Sequence, residues 1–402
     1  MSESWRITTM LLTVLLISSA LAWYVVRRAR WAFALPRSVT RALGVVCALG
    51  LVAATLSRSL GIEYAGAAAA LGAFGGAVML SIAISSVLLI PVEVGRGIAK
   101  LVSTLTTRAD GAPKGESAAS PESPPRRAFI AQAAAGGALT LGVGSSVYGT
   151  VFGRRDYTVE TIPVRLEKLP AALSGLTIVQ LSDLHVGTFV GERELAAAIS
   201  LVRDAKADVV VLTGDLLDHD VSYAPVLSRF ARSLQGLARY GVFAVPGNHD
   251  HYAGAREVLR GLREADCKVL LNRHVRIGQP GAQLVLAGLD DVAGPRFGSP
   301  GPLLDEAFAG APDQLARVLL SHNPAFFPTS HKQSDLTLSG HTHGGQVTLF
   351  INPAELVLRH GLVRGLYTVE GSQLYVNRGF GTAGPPTRIG SPPEVTRLVL
   401  HG

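Results

Sequence analysis

Four apolar stretches, residues 8–26, 42–57, 64–92 and 128–152, take up most of the first 152 positions and set the first constraint on the fold. A helix rises about 1.5 Å per residue, so roughly 20 apolar residues cross the hydrocarbon core of a bilayer. The first two stretches read as transmembrane helices. The third is rich in Ala and Gly and carries no charge until Glu93, so it reads as one tilted helix or a helix with an interfacial end. The fourth is Gly-rich and more weakly apolar, and reads as a fourth span. With 48% hydrophobic and 17% charged residues, the chain cannot be a disordered tail or a nucleic-acid-binding arm.

Charge divides the chain at the same place. Through Arg155 there are fifteen Lys or Arg against six Asp or Glu, and beyond it twenty-two against twenty-four, so the net +7 belongs to the apolar part. Juxtamembrane loops produce such a bias, and nucleic acid is not expected as a partner. Arg27, Arg28, Arg30, Arg37 and Arg41 follow the first stretch, whereas the next loop carries Arg58 against Glu63, which places the first loop in the cytoplasm. The segment 93–127 holds Arg96, Lys100, Arg108, Lys114, Arg126 and Arg127 around a Pro/Ser/Ala/Gly-rich run and reads as a flexible cytoplasmic linker. Four crossings then carry the chain after Phe152 to the outer face. The string PRRAFIAQAAAGGALTLGVG resembles a twin-arginine export signal, and reads equally as positive residues before an ordinary helix. Either way the following domain lies outside.

All eleven histidines lie beyond residue 156, and the two cysteines, Cys47 and Cys267, offer no disulfide framework. From Tyr157 short apolar runs such as LTIVQLSD, DVVVLTGD and VFAVPGNHD alternate with helical patterns at about 192–205, 225–239 and 254–265. LVLAGL, RVLLSH, LTLSGH, LYVNRG and VTRLVLH suggest later strands. This rhythm predicts a layered sheet with helices on its faces, over 157–402.

Five loops each follow a strand-like run and each carries metal-capable side chains: DLH, GD, GNHD, SHNP and GHTHGG. They supply Asp183, His185, Asp215, Asn248, His249, His322, His341 and His343. Loops at the ends of strands can converge on one rim. Carboxylate, imidazole and amide oxygen without thiolate suit Mn, Fe or Zn rather than a Cys-type structural zinc site. Nearby, His219 and His251 read as peripheral or solvated, and Gly344 and Gly345 as positions of tight backbone approach. Arg378 and Arg388 read either as ligands for a second phosphate or sugar acid, or as surface ion pairs. VTLFINPAELVL reads either as a strand and turn or as an apolar lip facing the bilayer.

Each motif alone is weak, but the five in this order resemble the calcineurin-like metallophosphoesterases, whose pattern is D-x-H, GD, GNH(D/E), a lone H and GHxH. The resemblance covers about residues 175–400, and GHTHGGQ, RGLY at 364–367 and the ending LYVNRGFGTAGPPTRIGSPPEVTRL are similar to a membrane-tethered bacterial branch. That branch includes twin-arginine-exported enzymes and relatives acting on lipid-linked nucleotide diphosphates such as UDP-diacylglucosamine. The resemblance implies a four-layer α/β/β/α sandwich behind the helical transmembrane region. It implies two divalent ions, one held by Asp183, His185 and His343, the other by Asn248, His322 and His341, with Asp215 bridging. It implies that His249 contacts the phosphate or protonates the leaving oxygen while Asp250 orients its ring. The expected protein is a multi-pass cell-membrane enzyme that hydrolyses a phosphoester or pyrophosphate of a phosphorylated lipid or envelope small molecule. The alternatives are a cytoplasm-facing UDP-2,3-diacylglucosamine-type pyrophosphate hydrolase and, from another class, a non-catalytic metal-binding scaffold.

Overall fold

The computed structural model describes residues 3–57, 60, 62–109, 126–358 and 360–402, and the Pro/Ser-rich part of the expected linker, 110–125, lies outside them. Two compact units emerge, one built from residues 1–60 and 67–150, the other from 61–66 and 151–402.

The first unit holds helices α1 (Glu3–Ala32), α2 (Arg37–Leu56), α3 (Ala65–Ala109) and α4 (Arg126–Val151). Among the described residues three helices are long and apolar enough to cross a membrane: Arg37–Leu56, Ile62–Val102 and Arg126–Arg155. The expected first crossing falls in α1, most of whose first twelve side chains lie outside the described residues. The segment 93–109, expected as linker, is helix instead. α3 runs through Pro91 because a proline costs one backbone hydrogen bond, which the apolar turns on either side outweigh. Ala22 and Val25 of α1 pack with Ile82 and Leu89 of α3 and with Ala135, Ala138 and Leu139 of α4. At one end of this core Arg28 pairs with Glu93 at 2.6 Å, Arg96 lies 4.3 Å from the Trp31 ring, and Gln132 donates to the Trp31 carbonyl at 3.4 Å. The basic end of α1, the basic turn of α3 and the start of α4 therefore share one level of the unit.

The second unit contains two six-stranded sheets. The first runs β1 (Thr158–Arg165), β12 (Glu394–His401), β2 (Thr177–Leu181), β3 (Val209–Thr213), β4 (Val242–Val245) and β5 (Lys268–Val269). The second runs β10 (Gly365–Val369), β11 (Ser372–Val376), β9 (Leu336–Ser339), β8 (Arg317–Leu320), β7 (Ala282–Gly288) and β6 (Arg273–Gln279). β2, β3, β4 and β5 pair in parallel, as do β7, β8, β9 and β11. Strand alternation puts Ile178, Val209, Val211 and Phe243 against Leu286, Val318, Leu320 and Leu338, forming the layer between the sheets. The opposite residues of the first sheet, Val179, Leu181, Val210 and Leu212, pack under α5 (Glu192–Asp204), α6 (Ala224–Ser233) and α8 (Ala255–Glu264). α7 (Asn248–Ala253) sits between α6 and α8 in sequence. The outer face of the second sheet is covered more thinly, by Leu304, Ala307 and Phe308 over Val285, Ala287 and Leu319, and by Phe327 over Leu374 and Val376. The layers are α/β/β/α, and the parallel strands of both sheets bring their C-terminal ends to one rim.

Candidate metal centre

Every motif loop leaves the C-terminal end of a parallel strand. Asp183 and His185 follow β2, Asp215 follows β3, Asn248 and His249 follow β4, His322 follows β8, and His341 and His343 follow β9. Five of these residues hold the backbone in the left-handed region: Asp183 (φ 52°), His185 (φ 48°), Asp215 (φ 50°), His341 (φ 72°) and His343 (φ 51°). Non-glycine residues rarely adopt it, and strain of this kind persists where the surrounding structure fixes a side chain for a purpose. Gly344 and Gly345 take positive φ as well, which lets the chain turn sharply behind the last imidazole.

The side chains converge. One ligand atom from each of Asp183, His185 and His343 lies within 4.8 Å of the other two, and the same holds for Asp215, His322 and His341. A third grouping, His185, Asp215 and His249, links them. The closest approaches are His185 Nε2 to His343 Nε2 at 3.1 Å, His322 Nε2 to Asp215 Oδ2 at 3.2 Å, His341 Nδ1 to His322 Nε2 at 3.3 Å and His343 Nε2 to Asp183 Oδ1 at 3.4 Å, with His185 Nε2 to Asp215 Oδ2 at 3.7 Å. Asp215 thus faces an imidazole from each set.

The surrounding polar groups set each ligand. His322 Nδ1 lies 2.8 Å from the Thr213 carbonyl and donates to it, which turns Nε2 toward the cleft and Asp215. The His341 amide donates to both carboxylate oxygens of Asp183 at 3.0 Å. Burial opposes the charge on Asp215, but His322, His185 and His249 hold its carboxyl far below the usual range. Burial, His185 and the Arg388 guanidinium push His343 well below its ordinary value, so it is a neutral imidazole near pH 7. Among the described residues the buried Asn248 Oδ1 has no hydrogen-bond partner, and His185 Nδ1 has only the Asp218 carboxylate at 3.7 Å. An amide oxygen left bare in such a place costs free energy, and a divalent cation fits that vacancy together with the N/O donor set.

The calcineurin-like phosphoesterase family model matches residues 176–345, the span holding all of these side chains. A metallophosphoesterase of Aquifex aeolicus is 34% identical over 66% of this chain and 98% of its own length. The chain belongs to the calcineurin-like metallophosphoesterases. The metallophosphoesterase YkuE of Bacillus subtilis is 31% identical over 67% of this chain and 93% of its own length. A "transmembrane protein with metallophosphoesterase domain" of Danio rerio is 35% identical over 65% of this chain, which covers 62% of that relative. Together with the long apolar helices, this makes the chain a membrane-associated metallophosphoesterase.

One expected role needs correction within this metallophosphoesterase centre. Asp250 does not orient His249. One of its oxygens accepts the Leu216 and Leu217 amides at 3.0 Å and the other the Gly247 amide at 2.8 Å, so it clamps the GD loop to the GNHD loop. Burial and the charge of Asp215 raise its carboxyl to about 6. The partner of His249 is Asp218, which sequence reasoning missed: His249 Nδ1 is 2.6 Å from the Asp218 carbonyl and 3.6 Å from its Oδ1. Asp218 also reaches His185 Nδ1 at 3.7 Å and His219 Nδ1 at 2.9 Å. The signal was its spacing in GDLLD, one turn of chain past Asp215, which the adjacent His219 obscured. Burial lowers His249, but Asp218 and Asp215 raise it further, to about 9.

Arg378 and Arg388 are not open to a substrate phosphate. Arg388 is fully buried, its Nη2 3.2 Å from His343 Nδ1 and 2.9 Å and 2.6 Å from the Gly379 and Gly381 carbonyls. Arg378 pairs with Glu160 at 2.8 Å and Glu394 at 3.0 Å. His251 is buried against Asp290 at 2.8 Å rather than solvated.

Proposed function

We propose that this protein is a membrane-anchored phosphoesterase with two divalent ions of the Mn, Fe or Zn type, hydrolysing a phosphoester or pyrophosphate of a lipid or envelope small molecule. One observation carries the reading: Asp215, which forms one triad with His322 and His341, also lies 3.7 Å from His185 of the other triad, Asp183, His185 and His343. Asn248, with its unpartnered oxygen, completes the second set. When bound, two ions neutralise phosphoryl oxygens and make a water-derived nucleophile available near neutral pH.

The chain's own residues supply the rest. Asp215 holds both sites in register because its carboxylate is fixed by the His249 amide, which donates to Oδ1 at 2.8 Å. Asp218 holds the His249 ring through Nδ1, leaving Nε2 for a substrate oxygen, and the side chain is 25% exposed, so it meets the cleft. A proton kept on this ring near neutral pH is the one a leaving oxygen needs. Asp250 keeps the two loops at a fixed separation.

The outward orientation rests on the basic loops, whose helix ends share one level of the helical unit. The decisive experiment is a hydrolysis screen on metal-reconstituted protein with lipid-linked pyrophosphates, phospholipids and soluble nucleotides. Turnover confined to membrane-borne substrates is the expected result, and turnover of soluble nucleotides alone overturns the substrate class. A cysteine placed in the 110–125 linker resists an impermeant thiol reagent on intact cells if the domain faces outward. Labelling from outside reverses the orientation and favours a cytoplasmic lipid-nucleotide pyrophosphate hydrolase.

A further inference from the structure

Among the described residues of this unit, the segment after the last ligand turn carries the densest run of exposed apolar side chains, larger than the Tyr252–Phe297 pair beside His249. Phe350, Ile351, Leu356 and Val357 are 77%, 64%, 76% and 79% exposed, and Leu349 and Leu358 are exposed beside them. Elsewhere in this unit exposed apolar side chains such as Val159, Val221 and Val369 are scattered along the sequence. Six on one short segment form the kind of patch that a surface bathed in water avoids. The segment is also held in place. Asn352 Nδ2 donates to the Gly344 carbonyl at 3.3 Å, and its Oδ1 caps the short helix Pro353–Val357. Farther along, Thr342 Oγ1 donates to the Val363 carbonyl at 2.6 Å, and the Tyr367 hydroxyl accepts from the Val363 and Arg364 amides at 3.0 Å and 3.3 Å. The chain is thus fastened to the turn that carries His341 and His343 at Asn352 and again, past the segment, at Val363.

We propose that residues 349–358 form a lip that inserts into the bilayer leaflet at which the domain is tethered, with lipid acyl chains as its occupant. α4 ends at Val151 and β1 starts at Thr158, so a chain of about six residues ties the domain to the surface that α4 reaches. The loop 379–391 joins tether and lip on one rim. On one side Tyr157 stacks on Phe380 at 4.5 Å, and Arg154 and Arg155 line a small cavity with Gly381 and Thr382. On the other, Gln346 donates to the Ala383 and Pro385 carbonyls at 2.9 Å and 3.1 Å, and the Thr348 amide to the Ile389 carbonyl at 2.7 Å. Charge agrees, since from Thr348 to Arg364 the sequence carries Arg359 and Arg364 against the single acid Glu355, a basic balance suited to phosphate headgroups. A lip seated in this way brings the ligand turn to headgroup depth, where lipid phosphoesters lie. The inference rests on the membrane anchoring and not on the reaction.

The test uses the full chain with Cys47→Ala, the buried Cys267 left in place, and a nitroxide attached after Phe350→Cys, Val357→Cys or, as control, Val369→Cys. Val369 ends β10 at the turn into β11, at the far end of the sheet from the ligand turn. The protein is placed one copy per nanodisc of phosphatidylcholine with a minor share of phosphatidylglycerol, and collisions with oxygen and with a water-soluble nickel chelate are measured. Positions 350 and 357 are expected to meet oxygen readily and the chelate several-fold less than position 369. Chelate collision at 350 and 357 equal to that at 369 overturns the proposal. One copy per disc removes a second chain as the cover, and because hydrolysis is not read, loss of the phosphoesterase reading and loss of the lip are separate outcomes.

Discussion

Two groups of buried imidazoles and carboxylates lie near the same rim and differ in how fully their hydrogen-bonding capacity is used. In the first, His251 pairs with Asp290 Oδ1 at 2.8 Å, and the same carboxylate accepts from the Asp291 amide, the Ser299 hydroxyl and the Gly301 amide. In the second, the ligand cluster, nitrogens of His185 and His343 face each other at 3.1 Å while, among the described residues, Asn248 Oδ1 finds no partner and His185 Nδ1 only the Asp218 carboxylate at 3.7 Å. Both groups lose hydration on folding, and the His251–Asp290 pair recovers it more fully inside the protein. Proximity in sequence does not tell them apart, because His251 stands three residues from Asn248. Saturation does, and it separates a structural pair from a set of groups arranged so that they could hold a cation.

The largest effect tests that distinction at its centre. Asp215→Asn removes the one carboxylate that faces an imidazole of each triad, so bound metal should fall for both sites and turnover should drop to background. Elemental analysis beside the hydrolysis assay reads both quantities, and near-normal turnover in this variant would remove the shared-ligand assignment. Next in size is His249→Ala, which should keep the metal and lose about 10² to 10⁴ in turnover, the range of a positioned acid. The loss should shrink with a good leaving group, since an aryl oxide needs no proton. Equal losses for aryl and alkyl esters would leave His249 only a phosphate contact.

The motif residues were legible because ligands at strand ends need specific side chains at specific points of the chain. Asp183, His185, Asp215, His322, His341 and His343 all come together, and the alternating runs that name their strands are the same runs that fill the layer between the sheets. What was not legible depends on tertiary partners. Nothing in GDLLDHD says which of Asp218 and His219 turns inward, and Asp250 looks like the natural partner of its neighbour His249 until its oxygens are found on the amides of residues 216, 217 and 247. Arg388 in a Thr-Arg-Ile-Gly loop reads as surface, yet carbonyls of 379, 381 and 391 surround it. The extension of α3 to Ala109 was hidden because charge, which marks the end of an apolar span, does not end a helix. Asp218→Asn sharpens this point. It should cost about 10- to 100-fold in turnover through a misplaced His249 and a less firmly held His185, with most metal retained. Asp250→Asn should instead lower thermal stability, because only one of its two oxygens stays a pure acceptor for the three amides.

The smallest expected effect belongs to the saturated group, and it is a pH effect. Burial lowers the affinity of His251 for its proton, but the hydrogen bond and charge of Asp290 reverse this and raise it above its ordinary 6.5. Burial likewise raises Asp290, while His251, Ser299 and Gly301 bring it below its ordinary 3.8. The raised imidazole stabilises the folded chain fully below its unfolded value, and that contribution fades as pH climbs through the folded one. The lowered carboxyl contributes above its unfolded value and loses its contribution as pH falls through the folded one. The pair's electrostatic stabilisation is therefore complete only between about pH 4 and pH 6.5. His251→Phe keeps the ring's bulk and removes the charge, so its unfolding midpoint should trail the parent by a few degrees more near pH 5.5 than near pH 9. Because this pair holds no ligand position, added metal should not change that gap. A gap of equal size at both pH values would mean that the pair is held as a neutral hydrogen bond. Saturation would then be a matter of geometry alone, and the line between the two groups would have to be drawn on the unpartnered Asn248 oxygen rather than on charge.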